Sequence, residues 1–140
     1  MVRAPLWFKI VSVLALLWNL AGLFAFASDA SMGPEDIAKL TKDQQAMYAA
    51  QPLWALVATG IATIGGTIGS LGLLLGKRWA IIALGASLLG IVVQDAGMLG
   101  LPGGIASIGT VAIVLQGIVL LIAIGLVLLA RKGTAKLWLT

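Results

Sequence analysis

The sequence predicts an all-α membrane protein, a bundle of four transmembrane helices that forms one integral membrane domain over residues 1–140. Composition is the first reason: the chain is 61% hydrophobic and 10% charged, whereas about 25% of the residues in a typical soluble domain are charged. The second reason is that the apolar residues form four runs, each long enough to cross a hydrocarbon core of about 30 Å as a helix of about 20 residues. Helices are expected because backbone groups in lipid need internal hydrogen-bond partners.

Short polar or glycine-rich connections separate the four runs. Residues 29–52 form a polar segment after the first run, and Lys77 with Arg78 forms a basic turn after the second. The stretch GMLGLPGG at 97–104 predicts a turn before the fourth run, because glycine and proline interrupt helices. The predicted spans cover residues 10–28, 53–75, 79–98 and 105–130.

The polar segment at 29–52 carries two signals for helix starts. Pro34 followed by Glu35 and Asp36 is typical of a first helical turn. Thr41 and Gln44 have the spacing of a capping box, in which each residue's side chain bonds the other's backbone. We therefore expect two short external helices that lie on the outer membrane surface or over the end of the bundle.

Charge predicts the orientation of the chain in the membrane. Four spans place seven of the nine basic residues on one side and leave Lys39 and Lys42 on the other. Because cytoplasmic loops carry an excess of Lys and Arg, both termini are predicted to lie in the cytoplasm, as in a multi-pass protein of the bacterial inner membrane. The seven residues are Arg3, Lys9, Lys77, Arg78, Arg131, Lys132 and Lys136.

The first span has an alternative interpretation as a cleaved signal peptide. Arg3 and Lys9 precede the apolar run, and AFAS at 25–28 resembles an A-x-A cleavage site. A retained helix is preferred for two reasons. The run is longer than a usual signal-peptide core, and Trp18 and Asn19 lie in its middle.

Glycines recur at helical spacing in three of the four spans. On a helical wheel, those of the second span fall within about 60° of one another and form one smooth strip. Such strips allow helix backbones to approach closely in lipid, so helix packing is the preferred interpretation and a lined groove is the alternative. The predicted packing positions are Gly65, Gly69, Gly72 and Gly76 in the second span, Gly90 in the third, and Gly109, Gly117 and Gly125 in the fourth.

Polar side chains at membrane depth are the candidate binding residues. Asn19 and Gln116 lie near the middle of the first and fourth spans, so their amides are expected to bond each other or a threonine of the second span. Asp95 lies about 24 Å along its helix from Trp79, close to the outer boundary, where a hydrated or helix-capping residue is preferred over a proton relay. The other candidates are Trp18, Thr59, Thr63, Thr67 and Gln94.

The missing residue types limit the chemistry. With no Cys and no His, the chain lacks thiolates, the commonest metal and haem ligand, and the commonest general base. Intramembrane hydrolysis needs a nucleophile with a base or paired carboxylates, which one peripheral acid and scattered hydroxyls do not supply. We therefore expect no enzymatic activity, no cofactor and no metal site. Nucleic-acid binding is not expected either, because the basic residues lie in small groups beside apolar runs.

Four stretches of the chain also carry a family resemblance. They are PLWFKIVSVLALLWNLAGLFAF at 5–26, AMYAAQPLW at 46–54, GLLLGKRWAI at the end of the second span and SLLGIVVQ at 87–94. With these stretches the chain resembles a family of small, uncharacterised four-span bacterial inner-membrane proteins, whose members often carry a sugar-transporter label. The resemblance implies the four-span topology, and it supplies no catalytic or binding residues.

Two functions remain open on the sequence alone. In the first, the chain is a non-catalytic helix-packing protein, either a homo-oligomer or an accessory subunit of a larger membrane complex, because its small-residue strips exceed what four helices need among themselves. In the second, a dimer transports a small neutral, sugar-like solute through contacts with amide and hydroxyl side chains and stacking on Trp18. The lipid bilayer is a partner in both.

Overall fold

The computed structural model describes residues 2–50, 52–100 and 109–140. Over these residues the chain forms helices and turns, with no β-strand. The predicted all-helical fold is therefore confirmed. The helices are α1 (Leu6–Ala30), α2 (Pro34–Ala38), α3 (Lys42–Ala50), α4 (Leu53–Leu74), α5 (Ala80–Leu99) and α6 (Thr110–Ala135).

Four of these helices, α1, α4, α5 and α6, are long and apolar enough to cross a membrane. Their lengths of 25, 22, 20 and 26 residues correspond to about 30–39 Å at 1.5 Å per residue. This matches the thickness of a bilayer core, about 30 Å. The chain is thus a multi-pass membrane protein with the predicted four-helix architecture.

The predicted bounds of the spans need three corrections. α1 begins at Leu6 and not at residue 10, because the extended Pro5 lies directly before it and fixes where the helix starts. α6 runs to Ala135 and not to 130, and a basic residue in its last turn interacts favourably with the helix dipole. α5 runs to Leu99, so the predicted turn begins later. Residues 101–108, which include the predicted start of the fourth span, lie outside the described residues.

The two short helices predicted between the first and second spans are present as α2 and α3. Thr41 and Gln44 form the predicted capping box, with the Gln44 N–H donating to Thr41 Oγ1 and the Thr41 N–H donating to Gln44 Oε1, both at 3.2 Å. α2 begins at Pro34, and the Gly33 N–H donates to Asp36 Oδ2 at 3.2 Å. Local sequence signals therefore define both helix starts.

α4 is the central helix of the bundle. It packs against α5 along one side and against α1 along another, while α6 packs against α5. Within the described part of the chain, α6 makes little contact with α4 or α1. As a result α1 and α6 stand apart over much of their length, and a cleft remains between them in front of α4 and α5.

The contact between α4 and α5, here called the α4–α5 seam, consists largely of glycine, alanine and serine. A Cβ atom placed on Gly90 would lie 2.7 Å from the carbonyl oxygen of Ala58 and 3.0 Å from the backbone nitrogen of Ala62. Only glycine permits backbones to approach this closely. The predicted glycines Gly65, Gly69 and Gly72 also contact α5, and Gly97 of α5 lies against Trp54 of α4. Gly66 occupies a further contact that was not predicted.

Gly76 has a different role from the one predicted. It lies beyond the end of α4 with a φ of 71°, a conformation that glycine adopts readily. The N–H groups of Gly76 and Lys77 donate to the carbonyl oxygens of Leu73 and Gly72, which is the hydrogen-bonding pattern of a Schellman motif. Gly76 therefore ends the helix, and its assignment to the packing strip is wrong.

The predicted packing strip of the fourth span is also wrong within this chain. Gly109 precedes α6 with a φ of 86°, and no atom of the described residues lies within 4 Å of a Cβ placed on it. The same open space surrounds Gly117 and Gly125. The reason is the rotation of α6 about its axis, which turns a different face into the bundle. The buried residues of that face are Ala123, Leu126, Ala130 and Gly133.

Both termini lie at one end of the bundle, here called the terminal end. The Val2 N–H donates to the carbonyl oxygen of Leu137 at 3.4 Å, and the Thr140 N–H donates to that of Gly76 at 2.9 Å. These bonds bring the first residues, the last residues and the α4–α5 turn together. The opposite end, which carries α2 and α3, is here called the loop end.

Large apolar side chains fill the terminal end. Phe8, Leu73 and Leu139 are each about 1% exposed and belong to one buried cluster with Leu84 and Leu126. Burying a side chain of this size stabilises the fold by about 1.5–3 kcal/mol in water, and close packing supplies the contacts in lipid. The terminal half of the bundle is therefore closed, whereas the loop half contains the cleft.

Candidate functional site

The cleft between α1 and α6 has a volume of about 930 Å³. Asp29, Tyr48 and Leu53 line it at the loop end, and Asn19 and Thr63 line it at depth. The run of α1 from Asn19 to Asp29 makes the cleft about 15 Å deep. Small-molecule sites in proteins usually have volumes of about 300–1,000 Å³. The cleft is therefore large enough for a drug-sized molecule.

A separate void of about 20 Å³ adjoins the inner end of the cleft, and its size is that of about one water molecule. Trp18 on α1, Ser87 on α5 and Val119 on α6 line this void. Beyond it lies the apolar cluster that contains Phe8 and Leu73. The described residues thus close the cleft towards the terminal end.

Thr59 and Thr63 line the cleft, but their hydroxyl protons are used within α4. Thr59 Oγ1 donates to the carbonyl oxygen of Ala55 and Thr63 Oγ1 to that of Thr59, both at 3.0 Å. Thr67 Oγ1 donates in the same way to Thr63, at 2.8 Å, and Thr67 does not line the cleft. A hydroxyl whose proton is used can only accept a hydrogen bond from a ligand. The structure therefore brings Thr59 and Thr63 to the site as acceptors and leaves Thr67 out.

Asn19 links α1 to α4 instead of reaching α6. Its Nδ2 donates to the carbonyl oxygen of Ala15 at 2.8 Å and to Ser70 Oγ at 3.1 Å, and its Oδ1 lies against Gly66. The predicted bond to Gln116 or to a threonine is wrong, because α1 packs on α4 and the amide meets the serine there. Both amide protons are used, so only Oδ1 remains for other partners.

Ser87 makes the matching link between α5 and α4. Its Oγ donates to the carbonyl oxygen of Ala62 at 2.6 Å, and Ser87 is 4% exposed. A Cβ atom on Gly66 would collide with Asn19 and lie 3.2 Å from Ser87 Oγ. One glycine of α4 thus allows polar side chains from both neighbouring helices to reach the middle of the bundle.

Gln94 and Gln116 face the cleft from α5 and α6. The Oε1 atom of Gln116 is buried and has no hydrogen-bond partner among the described residues. A buried acceptor without a partner costs about 1–3 kcal/mol. The remaining atoms of the Gln116 side chain, and not this buried oxygen, line the cleft.

Asp95 lies within α5 and does not line the cleft. Its Oδ1 atom is buried without a hydrogen-bond partner in the described part of the chain. The residue that caps the end of α5 is Gly100, so the helix-capping interpretation of Asp95 is wrong. The predicted binding residues that the structure brings together are Trp18, Asn19, Thr59, Thr63, Gln94 and Gln116.

The mouth of the cleft carries a tyrosine paired with an acid. The Tyr48 hydroxyl donates to Asp29 Oδ1 at 3.2 Å. Burial of the hydroxyl raises the pKa of Tyr48 above its usual value, and the charge and hydrogen bond of Asp29 raise it further. Tyr48 therefore stays protonated well above neutral pH.

Asp29, Tyr48 and Phe26 line the cleft and were not predicted to do so. A signal for two of them exists, because Asn19, Gly22, Phe26 and Asp29 recur at the spacing of one helical face. All four line the cleft. Tyr48 has no such signal, since its position depends on how α3 folds back over the bundle.

Comparison with protein-family models, with curated proteins and with solved structures finds no match for this chain. The resemblance to small four-span inner-membrane proteins stays a prediction. The functional case therefore rests on the geometry of the cleft.

Proposed function

We propose that this chain is a non-catalytic protein of the bacterial inner membrane that binds a small molecule in the cleft. Polar side chains from three helices, among them Asn19, Thr59 and Gln116, line one cavity of about 930 Å³. Lipid tails cannot bond these groups, whereas a small molecule with polar hydrogens can. This convergence of polar groups in a large cavity is the observation that carries the proposal.

The basic residues support an orientation with both termini in the cytoplasm. Arg3, Lys77, Arg78 and Lys132 belong to the segments that meet at the terminal end. The loop-end segment that contains α2 and α3 carries only Lys39 and Lys42. The positive-inside rule then puts the loop end, and with it the mouth of the cleft, on the periplasmic side.

A native-membrane extraction tests the binding proposal. Protein taken up directly into polymer nanodiscs and analysed by native mass spectrometry is expected to carry a small-molecule adduct. Gly22→Phe places a ring in the cleft, where Gly22 lies beside Thr63, and is expected to abolish the adduct. Gly125→Phe, which points into open space, is the matched control and should retain it. Wild-type protein without any adduct, or an equal adduct in Gly22→Phe, would contradict the proposal.

Self-association is a second candidate function, favoured by the exposed face of α6. Gly117 and Gly125 lie eight residues apart with no atom of the described chain within 4 Å of a Cβ on either. A small-residue face of this kind allows close contact with a helix of a second copy. A dimer would also supply the additional helices that transport of a solute needs, because this chain alone closes one end of its cleft.

The same glycine variants test the second candidate. In mild detergent we expect native mass spectrometry to detect a dimer for the wild-type chain and for Gly22→Phe. Gly125→Phe should shift the population to monomer, because its ring prevents close approach of two α6 helices. A wild-type chain that is monomeric at every concentration, or a Gly125→Phe variant that dimerises equally well, would count against the dimer.

A further inference from the structure

The threonine hydroxyls that line the cleft can accept hydrogen bonds from a ligand but not donate them. Thr59 and Thr63 have given their hydroxyl protons to α4, and Asn19 has given both amide protons to Ala15 and Ser70. Gln94 and Gln116 also line the cleft, and their amides carry both donors and acceptors. The threonine oxygens therefore match a ligand group that donates.

The charge around the cleft has one sign. Every Lys and Arg of the chain lies in the described residues, and none of them lines the cleft. Asp29 does line it, at the mouth. The undescribed stretch LPGGIASI at 101–108 contains no charged residue. A positively charged ligand therefore meets no opposing cation in the cleft and one carboxylate at its entrance.

Aromatic and aliphatic side chains form the rest of the walls. Trp18, Phe26 and Tyr48 line the cleft, and the Phe26 ring lies on Gly60, with its Cζ atom 3.2 Å from a Cβ placed there. Aromatic faces attract cations, by about 0.5–2 kcal/mol for each pair, and stack on aromatic ligands. The walls thus match a ligand with an apolar, preferably aromatic, body.

From these observations we infer that the ligand of the cleft is a lipophilic ammonium ion, an apolar body that carries a protonated amine. This inference rests on the proposed function of the cleft as a binding site. The body occupies the aromatic walls, and the N–H groups donate to the threonine oxygens of α4. The acidic residues of the loop end favour the approach of a cation to the mouth.

Four probes test the charge and donor preference separately. The protein is placed in nanodiscs of zwitterionic lipid, and binding is measured by equilibrium dialysis against empty nanodiscs. The probes are 2-phenylethylammonium, 2-phenylethanol, 3-phenylpropionate and glucose. We expect the ammonium ion to bind about tenfold more tightly than the alcohol, because a charged donor forms the stronger hydrogen bonds. The anion and glucose should bind more weakly than the alcohol.

Variants locate the preference in the cleft. Thr63→Val removes a hydroxyl acceptor that lines the cleft and is expected to weaken ammonium binding about tenfold, while changing binding of the alcohol less. Asp29→Asn should weaken it about threefold, as expected for an exposed charge pair. Asp43→Asn removes the same charge from α3, outside the cleft lining, and should leave binding unchanged.

The outcomes separate this inference from the proposed function. If the alcohol or glucose binds as tightly as the ammonium ion, and Gly22→Phe abolishes that binding, the ammonium inference is wrong and the cleft is still a binding site. If no probe binds, or if Gly22→Phe binds every probe as the wild type does, the inference fails together with the proposed function. Ammonium binding that is lost in Gly22→Phe and weakened in Thr63→Val supports both.

Discussion

The α4–α5 seam and the cleft contain similar residues, but the seam is tightly packed and the cleft is open. Both contain glycine, threonine or serine, and amide or carbonyl groups at membrane depth. In the seam, Gly90 lets two backbones touch, and the Ser87 hydroxyl donates across the contact. In the cleft, Gly22 and Gln116 face a cavity, and the Gln116 Oε1 atom meets no donor from the described residues. The comparison shows that residue type alone does not separate a packing contact from a binding surface in lipid.

The difference comes from where the helices lie and not from their composition. A short turn that contains Gly76 joins α4 to α5. Because the turn is short, the two helices lie side by side as antiparallel neighbours. α6 packs on α5 and barely on α4, so within the described residues α6 leaves the loop-end half of α1 uncovered. The Ser87 hydroxyl of the seam is therefore bonded internally, whereas the Gln116 Oε1 atom has no partner among the described residues.

The largest expected effect is that of a bulky residue in the seam. Gly90→Leu forces a side chain onto the backbone of Ala58 and Ala62, at distances of 2.7 and 3.0 Å from its first carbon. Because backbone atoms cannot move aside cheaply, we expect a loss of about 3 kcal/mol of stability. The midpoint of thermal unfolding in detergent measures this loss.

Gly125→Leu is the control for that variant, because its side chain enters open space. We expect its unfolding midpoint in the monomer to equal that of the wild type. If both leucine variants lowered the midpoint equally, the seam would have no special role in stability.

The next effect is the loss of a polar link across the seam. Ser87→Ala removes the 2.6 Å hydrogen bond to the Ala62 carbonyl and should cost about 1 kcal/mol, within the range measured for such bonds in membrane proteins. Thr67→Ala removes a bond that stays within α4, so it should cost less. Thermal midpoints of the two variants decide the order, and a larger loss for Thr67→Ala would be inconsistent with the seam as described.

Gln116→Leu should behave in the opposite way to Ser87→Ala. Its amide oxygen is buried without a described partner, so its removal relieves an unpaired acceptor and should leave stability unchanged or raise it by up to about 1 kcal/mol. The same thermal measurement applies, without added ligand. A destabilisation as large as that of Ser87→Ala would mean that Gln116 serves the fold and not the cleft.

The smallest effect concerns the mouth of the cleft. Tyr48 is the single tyrosine of the chain, so the ultraviolet absorbance of tyrosinate reports its titration alone. Burial raises the pKa of Tyr48, and Asp29 raises it further. Because the pKa is higher in the folded state, the protonated Tyr48 stabilises the fold below about pH 10. This stabilisation is lost as the pH rises through the raised pKa. Asp29→Asn should lower this pKa only part of the way, since burial remains, and Asp43→Asn should not change it.

Much of the fold follows from local signals in the sequence. Hydrophobic run length predicts the four spans, and the Thr41 and Gln44 pair predicts the start of α3, because capping depends only on neighbouring residues. The glycine strip of α4 is equally local up to Gly72. Gly76 does not belong to this strip, because it ends the helix. The sequence carries a signal for this role, since a glycine at the end of an apolar run is typical of a helix end.

The site is less predictable because it depends on helix rotation and lateral order. Asn19 bonds Ser70 and not its predicted partners, and Gly117 faces open space and not a neighbouring helix. Both differences have one reason, since the sequence of a helix does not determine which neighbour each of its faces contacts. Tyr48 reaches Asp29 only through the path of α3. The candidate residues were largely identified, while their partners and the cavity between them required the structure.

Cysteine labelling on α4 tests most directly whether the cleft is open and the seam is closed. The chain has no cysteine of its own, so Thr59→Cys and Ala58→Cys each introduce a single thiol, one residue apart. A membrane-impermeant quaternary-ammonium thiosulfonate is added from the side of the loop end. We predict rapid labelling of Thr59→Cys, which lines the cleft, and none of Ala58→Cys, which is 5% exposed. Equal labelling of the two thiols, or no labelling of either, would contradict a solvent-accessible cleft beside a tightly packed seam.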